Sequence, residues 1–265
     1  MNYFKYKADI IPISIFICLF LVDIYVYMLW ISGLTLGFYC AFSIMSKGFI
    51  AAWNHHHQHV QTFSKPILNR LLEIVYGFQT GIVGYGWVLH HNLGHHAHYQ
   101  DQTKDESAWK SPKWKRYHVL MYTWVVTITA YYRIWIVGNK HKKIQRYFLR
   151  MCIIQLAFLG ILIAIQPLQW IVIFLIPMIT GLLITVYTTY HHHSWLENDD
   201  PYKSSYNIVE PRYNLLTGNL GYHTAHHLKG WLHWSKLPEF HKSIENKIEK
   251  KYYKKYNFLW YSTGK

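Results

Sequence analysis

Two long stretches of the sequence contain no lysine or arginine, and they constrain the fold more than any other feature. One runs from residue 8 to 46 and the other from 151 to 202. Both are almost continuously apolar, and a helix needs about 20 apolar residues to cross the hydrocarbon layer of a membrane. The sequence therefore predicts an all-α integral membrane protein with two transmembrane helical hairpins. Its four spans are expected at about 10–30, 34–52, 147–165 and 169–189.

The net charge of +14 follows the same division of the chain. Every Lys and Arg lies before residue 8, between 47 and 150, or after 202. Because cytoplasmic segments are enriched in Lys and Arg, both long polar segments and both termini are predicted to be cytoplasmic. The cytoplasmic location of the polar segments and their attraction to anionic lipid account for the basic charge, so no nucleic-acid partner is expected. We expect one membrane domain over 1–265, with interfacial helices and a cytoplasmic histidine-rich cap.

Two further segments are predicted to contact the membrane surface. The apolar segment 119–137 has Lys and Arg on both sides and contains Arg133. If this segment crossed the bilayer, the last basic segment would lie on the side opposite the cytoplasm, contrary to the enrichment of Lys and Arg in cytoplasmic segments. We therefore predict an interfacial or re-entrant element. Near the C-terminus, the sequence KSIENKIEKKYYKKY predicts an amphipathic basic helix on anionic lipid.

Most of the 19 histidines fall into four clusters. These are His55, His56, His57 and His59; His90, His91, His95, His96 and His98; His191, His192 and His193; and His223, His226 and His227. Residues three or four apart on a helix share a face, so each cluster can turn two or three imidazoles to one point. Imidazole binds zinc, copper, iron or nickel, and one tetrahedral zinc needs only four ligands. Eight or more converging histidines favour two metals.

Acidic residues follow two of these clusters. Six of the 13 Asp and Glu lie after the second cluster or after the fourth span, namely Asp101, Asp105, Glu106, Glu197, Asp199 and Asp200. A carboxylate that accepts the second ring N–H is a common neighbour of a metal-bound histidine; ordinary charged loops are the other interpretation. Asp101 and Asp105 are the candidates for this role. Asn219 is a candidate for bracing the last histidine cluster.

The order of the histidine motifs resembles that of the membrane fatty acid desaturase superfamily. It reads H-x3-H, then H-x3-H-H, then H-x2-H-H, with an apolar hairpin before the first and before the third. The second motif, NLGHHAHYQDQTKDE, is similar to that of the related alkane hydroxylases. The third, LLTGNLGYHTAHH followed by HWSKLPEFH, is similar to that of bacterial acyl-lipid desaturases. The resemblance covers nearly the whole chain.

The resemblance implies a histidine-coordinated diiron centre on the cytoplasmic face, which would use O2 to oxidise a fatty acyl chain. The implied ligands are His55, His59, His91, His95, His96, His223, His226 and His227. A further ligand is expected in YHHHSW, where His192 is favoured and His193 is the next choice. The run HHHQH leaves open that His56 or His57 is the first-motif partner in an altered register.

The leading interpretation is a membrane fatty acyl desaturase, an oxidoreductase of lipid and fatty acid metabolism. The alternative is a membrane hydroxylase or another oxidative modifier of alkyl or fatty acid substrates; HNLGHH favours it, whereas TGNLGYHTAHH favours desaturation. No H-P-G-G motif of a fused cytochrome b5 is present, so electrons are expected from a separate ferredoxin, rubredoxin or cytochrome b5-type protein. A metal transporter is disfavoured because transporters bind their cargo near the bilayer midplane, where these spans hold no histidine.

Overall fold

The computed structural model describes residues 3–113, 115–196, 199–257 and 260–263. In this part of the chain, helices dominate and strands are nearly absent. Four helices are long and apolar enough to cross a membrane, namely Lys7–Met28, Gly33–His59, Lys142–Ile165 and Pro167–His193. The predicted all-α membrane fold with four spans is confirmed.

The regular elements follow one another in a simple order. The α-helices are α1 (Ile10–Met28), α2 (Gly33–His59), α3 (Pro66–Thr80), α4 (Val119–Lys140), α5 (Lys142–Ile165), α6 (Pro167–Trp170), α7 (Ile176–His193), α8 (Pro211–Thr217), α9 (His223–Leu228) and α10 (Leu237–Ile244). Two π-helical segments are Val88–His95 and Ile171–Leu175, the second joining α6 to α7. Single 3-10 turns are Lys7–Asp9, His96–His98, Trp234–Lys236, Glu245–Lys247 and Lys250–Tyr252. Strands β1 (Lys254–Asn257) and β2 (Trp260–Thr263) form an antiparallel pair.

The span helices extend past the apolar segments that predict them. Helix α2 continues from the expected end near residue 52 to His59, and α7 continues from 189 to His193. Apolar content marks only the part of a helix that lies in hydrocarbon, whereas the backbone hydrogen bonds continue into polar sequence. The first and third histidine clusters therefore lie on the last turns of two long helices.

The chain divides into two compact units. The first contains residues 1–87 and 138–185, and the second contains 88–137 and 186–265. The expectation of one membrane domain over 1–265 stays a prediction. Each unit has its own buried core.

In the first unit, aromatic side chains from several helices form the core. Tyr27 of α1 and Phe78 of α3 both lie against Phe174, with ring centroids 5.9 and 5.6 Å away. Leu36 and Ile173 complete the buried cluster. Lipid tails are as apolar as these side chains, so van der Waals packing of the rings holds α1 and α3 to the π-helical segment.

A buried ion pair joins two of the spans in this unit. The Lys47 ammonium on α2 lies 3.1 Å from the Asp23 carboxylate on α1 and donates a hydrogen bond to the Ile173 carbonyl at 3.0 Å. The Tyr39 hydroxyl donates to the other Asp23 oxygen at 2.8 Å. Charges inside a membrane are costly unless they are paired. The acidic residue within the first span is thus neutralised by a lysine of the second.

In the second unit, α4 has one buried face. Tyr122, Val126, Ala130 and Ile134 follow each other at intervals of four residues, and all are buried. Arg133 donates to the Glu106 backbone carbonyl at 3.0 Å and lies 3.5 Å from the Glu106 carboxylate. Helix α4 is not among the four helices that satisfy the length and hydropathy of a span.

The C-terminal segment folds differently from the long basic helix expected there. Helix α10 ends at Ile244, and two separate 3-10 turns and strand β1 follow it. Ile244, Ile248 and Tyr252 are buried in one core cluster with Ala225 of α9. The sequence predicted an amphipathic helix on lipid, and that prediction is wrong. The apolar side chains are instead buried in the protein core beside α9, which carries the third histidine motif.

Candidate metal centre

The first histidine motif occupies the end of α2 in the first unit. The spacing of four residues brings the Nε2 atoms of His55 and His59 to 3.0 Å. His57 is engaged elsewhere: its Nδ1 lies 2.9 Å from the Thr62 hydroxyl, and its Nε2 lies 3.5 Å from the Glu73 carboxylate. Within α2 the geometry therefore pairs His55 with His59 and leaves His57 bound to the loop and helix that follow.

Three histidines of the second unit form a first group, composed of His91, His96 and His226. The Nε2 of His96 lies 3.0 Å from Nε2 of His91 and 3.1 Å from Nε2 of His226. His91 belongs to the π-helical segment Val88–His95, and His226 belongs to α9. The ligand atoms of all three lie within 4.8 Å of one another, so they can bind a single ion.

A second group in the same unit is composed of His95, His193 and His227, whose ligand atoms also lie within 4.8 Å of one another. The Nε2 atoms of His95 and His193 are 3.3 Å apart. His223 lies beside this group, with its Nε2 2.9 Å from that of His193 and 3.2 Å from that of His227. One unit thus holds two groups of converging imidazoles.

The spacing of these nitrogens fits metal coordination. Adjacent ligands at right angles around an ion with metal–nitrogen bonds of about 2.1 Å are about 3 Å apart, close to the separations in both groups. Burial lowers the pKa of His227 well below its usual range, and the neighbouring His96 and His223 rings lower it further. The ring is therefore neutral at pH 7, the form in which imidazole binds a metal. An all-imidazole donor set suits iron, zinc or copper.

Asp105 orients one of these rings. Its Oδ1 lies 2.7 Å from Nδ1 of His95, and the backbone N–H groups of Gln100 and Ser107 donate to the same carboxylate. Because Nδ1 donates to Asp105, the Nε2 of His95 keeps its lone pair for an ion. Asp101, the other acidic candidate, instead accepts hydrogen bonds from Thr103 and Lys104.

The structure distinguishes the two histidines considered near the end of α7. His192, the favoured residue, has Nδ1 3.1 Å from the Tyr206 carbonyl and Nε2 2.9 Å from the Tyr213 hydroxyl. His193 instead points its Nε2 into the second group. Successive residues on a helix differ by about 100° in direction, so only one of the two can face the group. The geometry favours His193 as the ligand.

The third motif is held by a buried polar network that sequence reasoning missed. Asn207 accepts a hydrogen bond from the Thr224 backbone N–H at 3.0 Å and donates to the Thr224 hydroxyl at 2.8 Å. The Ser205 hydroxyl lies 2.9 Å from the same oxygen. Thr224 directly follows His223, so the network fixes the first turn of α9. No local pattern identifies Asn207, because its partner is 17 residues away in the chain.

The turn before α9 depends on its backbone conformation. Asn219 has a φ of 64°, in the left-handed region, and its side-chain amide donates to the Trp234 carbonyl at 3.2 Å. This contact fixes the loop that enters the third motif. A Cβ at Gly221 would lie 2.0 Å from the Ile208 carbonyl oxygen, so only glycine fits there.

Tyr99 is a further neighbour of the second group that sequence reasoning missed. Its ring stacks on His227 with centroids 4.0 Å apart, and its hydroxyl donates to the Ser204 carbonyl at 2.6 Å. Among the remaining acidic residues considered, Glu106 lies beside Arg133 and Asp200 beside Lys203. Glu197 lies outside the described residues.

Fold and site together define a helical integral membrane protein with converging histidines suited to binding metal. The sequence model of one family, described as fatty acid desaturase, matches residues 25–260, which is most of the chain. The chain therefore belongs to the fatty acid desaturase family. A search of individually curated proteins finds no match.

Proposed function

We propose that this protein is an O2-dependent diiron fatty acyl desaturase. The observation that carries the proposal is the pair of imidazole groups in the second unit, each with ring nitrogens about 3 Å apart, in a chain of the desaturase family. Two groups match two irons, and family membership supports oxidation of a fatty acid. A hydroxylase outcome on the same site is the alternative that the experiment below separates.

The proposed ligands follow from the contacts within the second unit. One iron is assigned to the first group and the other to the second group, with His223 beside the second; the residues are His91, His96, His226, His95, His193, His227 and His223. His193 replaces His192 in this assignment because both ring nitrogens of His192 already have partners. His55 and His59 stay predicted ligands on the strength of the motif order alone.

Desaturation converts –CH2–CH2– and O2, with two protons and two electrons, into –CH=CH– and two waters. When bound by these imidazoles, iron would supply the oxidising power needed to remove hydrogen from an unactivated C–H bond. The chain contributes position and charge. Burial lowers the pKa of His193 and His227 and keeps these two imidazoles neutral, and Asp105 accepts a hydrogen bond from Nδ1 of His95. Asn207 and Thr224 hold α9 in place, so its histidines are oriented before any ligand arrives.

The two electrons are proposed to come from a separate ferredoxin, rubredoxin or cytochrome b5-type protein. The proposed substrate is an acyl chain of membrane lipid or an activated fatty acid, since the family acts on fatty acids and the chain has four spans. The distribution of Lys and Arg supports a cytoplasmic active site with both termini on that side.

Lipid analysis of an expressing host tests the proposal. Acyl chains are profiled by mass spectrometry in cells expressing the wild type, His227→Ala or His118→Ala, in each case with a co-expressed electron donor. His118 is exposed and lies outside both groups, so its variant controls for expression and for loss of a histidine.

A new double bond in the wild type and in His118→Ala, absent from His227→Ala, supports desaturation. A new hydroxyl group with the same dependence would replace the proposal with the hydroxylase alternative. Unchanged lipids, together with purified protein that contains no iron, would overturn the metal assignment as well.

A further inference from the structure

Helix α4 carries a continuous apolar face opposite the one that packs in the second unit. Leu120, Trp124, Ile128, Tyr132 and Trp135 are between 45% and 67% exposed. The residues of the buried face, offset from these by two positions, are at most 8% exposed. At 1.5 Å per residue, the exposed stripe is about 22 Å long. Exposed apolar patches of this extent mark a binding surface.

A basic hairpin, defined as residues 109–113 and 115–117, directly precedes α4. Its two arms pair through the Ser111 N–H to Lys115 carbonyl bond at 2.8 Å and the Tyr117 N–H to Trp109 carbonyl bond at 3.1 Å. Trp109 is fully buried and anchors the base. Near the tip, Lys113 and Lys115 are exposed, and neither forms an ion pair with any described residue.

The charge of the surrounding sequence indicates what the hairpin binds. Residues 107–196 contain ten Lys and Arg and no Asp or Glu. The cation within α4 does not oppose membrane contact, because the Arg133 guanidinium is turned toward Glu106. An apolar stripe rich in Trp and Tyr beside exposed lysines matches a bilayer surface, where aromatic rings occupy the headgroup level and cations attract anionic lipid.

We propose that α4 lies flat in the membrane interface with its exposed stripe in the acyl boundary, and that the basic hairpin binds anionic lipid headgroups. Of the two arrangements predicted for 119–137, the proposal favours the interfacial one over the re-entrant one. It does not depend on the proposed enzyme activity. The occupant is the bilayer itself; an acidic protein docking on the hairpin is the competing outcome that the test separates.

Fluorescence quenching in lipid nanodiscs measures the depth of α4. Cys18, Cys40 and Cys152 are replaced with Ser, and a bimane label is attached to a new Cys at position 120, 128 or 135 of the full chain. Quenching is compared between phosphatidylcholine with a shallow doxyl group, the same lipid with a deep doxyl group, and aqueous iodide. A label at Ile153, exposed near the middle of α5, is the deep control.

We expect all three α4 labels to be quenched more by the shallow lipid than by the deep one, with similar ratios, and the control label to show the opposite. A ratio that changes steadily from 120 to 135 would overturn the flat orientation in favour of a re-entrant helix. Quenching by iodide alone, or by neither agent, would mean that the stripe faces water or protein.

The label at 120 also reports on lipid near the hairpin. Spin-labelled phosphatidylglycerol should quench it severalfold more than spin-labelled phosphatidylcholine, since each cation contributes roughly a fivefold factor in attraction to an anionic surface. This preference should largely disappear in Lys113→Gln/Lys115→Gln. It should persist in the matched pair Lys236→Gln/Lys242→Gln, which removes two exposed lysines elsewhere in the unit. Equal quenching by both lipids in the wild type would overturn headgroup binding and leave the acidic protein as the occupant.

Discussion

The replacement Asp105→Asn measures how much a carboxylate that bonds to a proposed ligand histidine, and not to the metal itself, contributes to metal binding. One Asp105 oxygen lies 2.7 Å from His95 Nδ1 and also accepts from the Ser107 N–H, while the other accepts from the Gln100 N–H. Asparagine keeps the shape but has a single acceptor oxygen. Its amide group must therefore face at least one of these donors, and the negative charge that favours a metal-bound His95 is lost.

The size of the effect follows from this geometry. Losing the carboxylate partner of a ligating histidine weakens metal binding by about 10–100-fold, or about 1.4–2.7 kcal/mol. A buried donor left without an acceptor costs about 1–3 kcal/mol, which lowers stability whether or not metal is bound. We therefore expect Asp105→Asn to weaken iron binding at least tenfold and to reduce thermal stability in both states.

Competition with a chromogenic iron chelator, using purified protein in detergent, gives the iron affinity of each variant. Asp101→Asn is the matched control, because Asp101 is also an acidic residue after the second motif, but among the described residues its side chain bonds to Thr103 and Lys104 and to no histidine. Its iron affinity should equal that of the wild type. Equal losses in the two variants, or unchanged affinity in Asp105→Asn, would refute the assignment of Asp105 to His95.

Three other replacements test separate parts of the structure. His193→Ala should lower the iron content of the purified protein, whereas His192→Phe should retain iron and lose stability, since His192 only bonds within the protein; the reverse order would restore His192 as the ligand. Lys47→Met leaves Asp23 without its cation and should lower the free energy of unfolding by about 3–5 kcal/mol, as measured by thermal unfolding in detergent. Asp23→Asn/Lys47→Met should recover part of that loss, and no recovery would contradict the ion pair. Gly221→Ala should abolish folded, monodisperse protein in size-exclusion chromatography, because its Cβ would lie 2.0 Å from a carbonyl oxygen; normal elution would contradict this packing.

The spans could be predicted from sequence because they depend on a local property. Each is a run of apolar residues without Lys or Arg, and its length alone matches a bilayer. The ends of the helices do not follow from apolar content. Helices α2 and α7 continue to His59 and His193, beyond the apolar run, because a helix ends where its backbone hydrogen bonds end.

The candidate site shows the same limit. Histidine spacing predicts which residues share a helix face, and His55 with His59 follows that rule. The choice between His192 and His193 depends on the rotation of α7 about its axis, which three identical neighbours in sequence do not reveal. Asn207 holds the third motif through a partner distant in the chain, so only the folded structure identifies it.

Partners distant in sequence also determine two features elsewhere. Asp23 of the first span is paired with Lys47 of the second, a contact that no local sequence pattern indicates. The C-terminal segment has helical apolar spacing, yet Ile248 and Tyr252 enter a core built largely by other elements. In both cases long-range packing outweighs the local pattern.

We propose that the histidine groups of this desaturase-family protein bind two irons. Mössbauer spectroscopy of protein loaded with isotopically enriched iron, combined with metal analysis per chain, tests it most directly. We expect two irons per chain with nitrogen-rich, non-haem parameters, and loss of iron in His227→Ala but not in His118→Ala. A chain that takes up one iron, prefers zinc when iron is offered, or keeps both irons in His227→Ala would contradict it.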